Sequence, residues 1–175
     1  MPAGANLRGK PVDAATKARF VHVYGHLFEH SPWVVERAWE KGPFADAEAL
    51  HDAFMAVVAE ADGAERMALV RAHPQLADKA AIAHGLTASS AAEQAGAGLD
   101  RLTPEEYEAF HLLNRSYRER FGFPFIICVK LQDKAGILAA MGQRVQGQPE
   151  AELGEALHQV GLIARLRLAD VAAQT

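Results

Sequence analysis

His73 stands directly before Pro74. A proline disfavours helical geometry in the residue before it, so a helix approaching His73 must end there and present the imidazole at a helix-to-loop junction. Imidazole titrates near neutrality, the property that suits it to moving a proton. The bland reading of the same residue is a helix C-terminal histidine favoured by the macrodipole. A second polar cluster lies in Ser90-Ala91-Ala92-Glu93-Gln94. Ser90 and Glu93 have the spacing of a capping box, in which each side chain satisfies an orphan backbone N–H. A helix N-terminus also favours an anionic ligand, and a cap at Ser90 leaves Glu93 or Gln94 able to face a pocket.

Arg167 is the third candidate. Stepping about 100° per residue from Leu153, the side chains of Leu157, Val160, Ala164 and Val171 form one apolar stripe, and Arg167 falls inside it while Arg165 falls outside. An inward guanidinium needs a partner, because an unpaired buried charge costs several kcal/mol. An internal salt bridge, with Glu93 as the candidate partner, meets that need. So does a pocket in which the planar fork binds a carboxylate or carbonyl. His22, His26 and His30 recur every fourth residue, a spacing open to metal binding, yet on a helical wheel they lie opposite the Phe20–Tyr24–Leu27 stripe, as a solvated face does. Cys128 sits in an apolar run, where a thiol is ordinarily a packing group. Phosphate-binding glycine loops, zinc spacings and nucleophile elbows are absent from the sequence, so a catalyst built here would work with acid–base groups and fixed charges and without a cofactor.

The elements that position these residues are helical. Phe20, Tyr24, Leu27 and Phe28 share one helical face; Ser31-Pro32 reads as an N-cap followed by a first-turn proline; Asp46 caps a helix with the stripe Leu50, Phe54, Val57, Val58. A fourth helix runs to about Arg71. Thr103-Pro104-Glu105-Glu106 opens a helix carrying Tyr107, Phe110, Leu113, Tyr117 and Phe121, which Gly122 ends. Asp133 opens another, and a last long helix fills roughly residues 150–173. Residues 124–131 form one apolar extended segment, and residues 1–12 read as a flexible tail. The expectation is an all-α, single-domain bundle of about eight or nine helices spanning 1–175.

Composition limits what this fold does. The chain has 175 residues, half of them hydrophobic, with 18 basic and 22 acidic side chains and a net charge of −4. That is ordinary for a globular protein and lacks the basic clustering that nucleic acid or a membrane surface requires. No apolar run reaches the length of a membrane span. A lone cysteine forms no intrachain disulfide, and residues 1–12 lack the apolar block of a secretory signal, so a cytoplasmic location is expected.

Taken together, Phe28-Glu29-His30-Ser31-Pro32-Trp33, Ala72-His73-Pro74-Gln75-Leu76-Ala77, Ser90-x-x-Glu93-Gln94, Asn114-x-x-Tyr117, Phe121-Gly122-Phe123-Pro124-Phe125-Ile126 and Ile163-Ala164-x-x-Arg167-Leu168 resemble, in order, the 2-oxo-4-hydroxy-4-carboxy-5-ureidoimidazoline (OHCU) decarboxylase family. Gln75 stands where that family often has an acidic residue, or a polar one other than glutamine, after His-Pro. The resemblance implies an all-α lyase of the urate-to-allantoin route, without cofactor or metal and usually a homodimer, that yields (S)-allantoin. It implies catalytic roles for His73 as proton donor, Glu93 and Arg167. It also implies substrate contacts from Pro74, Ser90, Gln94, Phe125, Ile126, Ile127 and Val129. The reading from another class is a helical module that binds a purine-derived ligand without catalysis.

Overall fold

Capping chemistry sets most of the boundaries. The computed structural model describes residues 4–175, and among them the regular structure is nine α-helices and two short 3-10 turns, with no strand. The all-α expectation holds. The chain packs as two compact units, one running through Ala72 and resuming at Val160–Thr175, the other comprising His73–Gln159.

The first unit contains α1 (Lys17–Tyr24), α2 (Trp33–Trp39), α3 (Ala47–Glu60), α4 (Gly63–Arg71) and the last part of α9 (Pro149–Ala173). Thr16 caps α1 by accepting the Arg19 N–H, and Asp46 caps α3 by accepting that of Ala49. Asp62 and Glu65 form a full capping box at α4, two residues beyond the end of α3. The expected stripe from Phe20 to Phe28 is all buried, but α1 stops at Tyr24. The chain tightens into a 3-10 turn, Gly25–Leu27, and Phe28 is already extended. Ser31 is not a helix cap: its hydroxyl donates back to the Glu29 carbonyl at 2.9 Å, and α2 starts at Trp33 with Pro32 in the cap position. Aromatic rings fill this core, Phe20 against Tyr24, Trp39 and Phe44, and Phe28 edge-on to Phe54 at 5.4 Å. Over residues 4–12, where a flexible tail was expected, the chain is tied down. Leu7 is fully buried, Gly9 N–H donates to Asp46, and the Ala5 carbonyl accepts from Arg165. Residues 1–3 of that expected tail lie outside the described residues.

The second unit contains α5 (Lys79–His84), α6 (Ala88–Gly96), α7 (Pro104–Phe121), the irregular segment 123–128, a 3-10 turn (Val129–Leu131), α8 (Lys134–Arg144) and the first part of α9. Thr103 caps α7, with proline in the first turn, and Gly122 ends it at φ 79°, a conformation that penalises any side chain. Tyr117 is the hub of the core, touching Phe121, Phe123 and Phe125. The apolar segment expected near 124–131 is buried coil that closes in the 3-10 turn.

Candidate active site

The last helix before the second unit, α4, ends at Arg71 with Ala72 in the cap position, and the second unit opens at His73. His73 therefore lies past the helix end, in the loop, and is 8% exposed. Four residues on, Ala77 takes φ 55°, a left-handed geometry uncommon for a residue with a Cβ. The peptide joining Leu76 to Ala77 is gripped on both sides. Its carbonyl accepts from Asn114 Nδ2 at 2.8 Å, and its N–H donates to Gln94 Oε1 at 3.1 Å. Gln94 and Asn114 are each 3% exposed. These bonds fix which way each amide points. Gln94 Nε2 and Asn114 Oδ1 are left buried, with no hydrogen bond among the described residues.

Gln94 belongs to α6, and the cap of α6 is Thr87, whose side chain accepts the Ser90 N–H. Ser90 is thus the third residue inside the helix, and the expected Ser90–Glu93 capping box gives way to a cap three residues earlier. Ser90 is 5% exposed and Glu93 half-buried. The helix packs on the 3-10 turn at 129–131, which brings it to the apolar segment. The negative charge of Glu93 reaches Cys128: burial first, then that charge, push the thiol up to about 11. Cys128 is therefore neutral and unreactive near pH 7, as a packing thiol should be.

The segment carrying Phe125, Ile126, Ile127 and Val129 is buried throughout and pinned at two points. Arg144 Nη1 donates to the Ile126 carbonyl at 2.8 Å, and its guanidinium lies 4.4 Å from the Phe125 ring centre. Gln159 Oε1 accepts the Cys128 N–H at 2.9 Å. Arg144 is held in turn by Glu152 at 3.0 Å, and Glu152 accepts the Tyr117 hydroxyl at 2.7 Å. Burial, then the Glu152 carboxylate, raise the Tyr117 pKa, so the phenol stays a donor. This unit thus gathers His73, Pro74, Ser90, Glu93, Gln94 and the 125–129 backbone.

Arg167 belongs to the first unit, where it is 4% exposed, as the helical wheel requires, while Arg165 is half-buried and pairs with Glu48. A carboxylate that pairs with Arg167 is that of Glu29, at 2.8 Å from Nη2. The carbonyls of His26 and Leu27 lie 3.5 Å from Nη1, so the turn that follows α1 wraps the guanidinium. Partial desolvation, then the Arg167 charge, hold His26 below its ordinary pKa. His22, His26 and His30 do not share a helix, since α1 ends at Tyr24 and His30 sits at φ 47°. Among the described residues no group of three His, Cys, Asp or Glu has metal-site geometry.

Chemically, the second unit offers an imidazole, a carboxylate and fixed amide groups, and the first a rigid cation. The sequence motifs contain Glu29 and Asn114 without assigning either a site role, and Arg144 stands outside them. For Asn114 the signal was present, a polar residue on the apolar stripe of α7 between Phe110 and Tyr117.

Comparison with known proteins adds the following. A family model described as OHCU decarboxylase matches residues 13–169. An OHCU decarboxylase of Haloferax volcanii is 44% identical over 151 residues, covering 86% of this chain and 88% of its own. One from Halalkalicoccus jeotgali is 41% identical over 160 residues, covering 91% and 89%. The mouse (Mus musculus) OHCU decarboxylase is 36% identical, covering 91% and 90%. Among solved structures, an (S)-allantoin synthase superposes with a TM-score of 0.68 at 31% identity, over 89% of this chain and half of that longer one. An OHCU decarboxylase crystallised in the presence of (S)-allantoin gives 0.67 at 21% identity, over 82% and 93%, a likeness of fold.

Proposed function

The chain belongs to the OHCU decarboxylase family, and from that premise we propose that it converts OHCU to (S)-allantoin and CO₂ in urate degradation. The observation that carries this reading is the family match over residues 13–169, which runs through every element bearing a site residue. The bond from Ala77 to Gln94 supports it, because it ties the loop of His73 to the helix of Ser90 and Glu93.

In OHCU the carboxylate sits on a ring carbon that also bears a hydroxyl, beside a C=N bond. When the C–C bond to CO₂ breaks, its electron pair forms a C=C bond to the ureido-bearing carbon, and the C=N pair moves to nitrogen, which takes a proton. Loss of the hydroxyl proton and protonation of the ureido-bearing carbon then give the ring amide carbonyl of allantoin. The substrate is its own electron sink, so the protein's work is to hold one conformer and direct a proton to one face. His73 delivers that proton. Glu93 orients the imidazole or the ureido group. Arg167 stabilises a ring carbonyl or the developing oxyanion. Ser90, Gln94, Pro74 and the segment Phe125, Ile126, Ile127 and Val129 hold the ring and its amides. The chain acts as a homodimer in the cytoplasm; family resemblance supports the first, and a lone cysteine the second.

The test is CO₂ release from freshly generated OHCU. The wild type should exceed the spontaneous rate, and His73→Ala should fall to it. Full stereospecific turnover by His73→Ala overturns the proton-donor role. A wild type no faster than background overturns the decarboxylase reading and favours a binding module.

A further inference from the structure

We infer that Asn114 is a positioning residue for the reaction proposed above, acting on the loop that carries His73 through its grip on the Leu76–Ala77 peptide; the inference rests on that reading. The two amides, Asn114 on the carbonyl and Gln94 on the N–H, leave this peptide one orientation. It lies just past His73 and Pro74, and Pro74 has a ring-fixed φ. Few soft torsions therefore separate the clamp from the imidazole. The clamp also holds Ala77 at φ 55°, a conformation that costs a residue with a Cβ about 1 kcal/mol, so the loop has no local reason to keep this shape by itself.

Packing alone does not account for an asparagine here. The position lies on the buried stripe of α7, and its Oδ1 is buried without a hydrogen bond among the described residues, a burden an apolar side chain of similar size would not carry. What the amide supplies is the N–H to the Leu76 carbonyl. Asn114 touches the loop and not the reacting atoms.

The test is Asn114→Asp, which keeps shape and removes that donor. An ionised carboxylate repels the Leu76 carbonyl, whereas a protonated one donates to it. At pH 8 the expected kcat is about 100-fold below wild type, the size of loss that a misplaced catalytic group produces, with KM changed less than about threefold. The ratio of variant to wild-type kcat should rise as the pH is lowered toward 5. Amide exchange at Ala77 should quicken in the variant. If Asn114→Asp does not fold, Asn114→Ser, whose hydroxyl is too short to reach Leu76, is judged by the same kcat and exchange. A folded variant with wild-type kcat overturns the inference while wild-type turnover leaves the decarboxylase reading standing. So does a loss that tracks the unfolded fraction at every pH. Absence of turnover in the wild type overturns both.

Discussion

Arg167 must serve two demands at once, a buried charge that needs neutralising and a donor fork fixed in place. Glu29 meets the first at 2.8 Å, and both side chains are nearly sealed from solvent. Breaking a buried pair by removing one partner is far more damaging than replacing both. Glu29→Ala should therefore lower unfolding free energy by about 3 kcal/mol in urea titrations, and Glu29→Gln by less. Arg167→Gln keeps donors but removes the charge; kcat for OHCU should fall about 100-fold to 1,000-fold if the guanidinium stabilises a developing oxyanion. The inward placement of Arg167 was legible because helical periodicity assigns a face to each residue. Its partner was not, because 138 residues separate Glu29 from Arg167 and Glu29 lies beyond the end of α1, where no periodicity applies. Asn114 shows the opposite failure: its face was legible, but its role depends on one carbonyl in a distant loop.

Helix ends are where sequence and structure part company most usefully. Thr103, Asp46 and Gly122 were readable as start and stop residues, because a cap is a local bargain between one side chain and its own backbone. Ser31 and Ser90 were misread for the same reason: several nearby residues are chemically able to cap, and local sequence does not rank them. At α6 the choice falls on Thr87, which moves Ser90 into the helix and frees it from the capping role. Thr87→Ala should destabilise the protein by about 1 kcal/mol in thermal or chemical unfolding. Gly122→Ala should cost about as much, since the αL end of α7 at φ 79° penalises a Cβ. The extended segment at 123–128 could be recognised as buried but not as strand or coil, because an apolar run carries no period. Its conformation is set by Arg144 and Gln159, far along the chain.

Across the whole molecule, acid should be the destabilising direction. In the first unit the His51 Nε2–H donates to the Gly161 carbonyl at 2.9 Å, and burial holds the imidazole below its ordinary pKa, so the folded state keeps it neutral. The unfolded chain protonates this histidine near its ordinary value of about 6.5. Below that pH the unfolded state binds the extra proton, and stability falls as pH falls toward the folded value. Asp46, held low by the Gly9 and Ala49 N–H groups, and Glu48, held low by Arg165, add a further loss as they are protonated at lower pH. Urea midpoints measured from pH 8 to pH 4 should drop monotonically, and His51→Gln should flatten the upper part of the curve. Constant or rising midpoints on acidification would contradict the burial of a neutral His51. The all-α class and the helix order were legible because each helix announces its ends and its face. The division into two units was not, since it depends on how the last helix is shared along its length.

Control of a single face of the ureido-bearing carbon is the property that separates an enzyme here from a protein that merely binds purine fragments. Circular dichroism of allantoin formed from freshly generated OHCU reads it directly. With the wild-type chain, the signal of the (S) enantiomer should grow in step with the loss of OHCU and faster than spontaneous decay. Racemic allantoin formed at the spontaneous rate would contradict the proposed function.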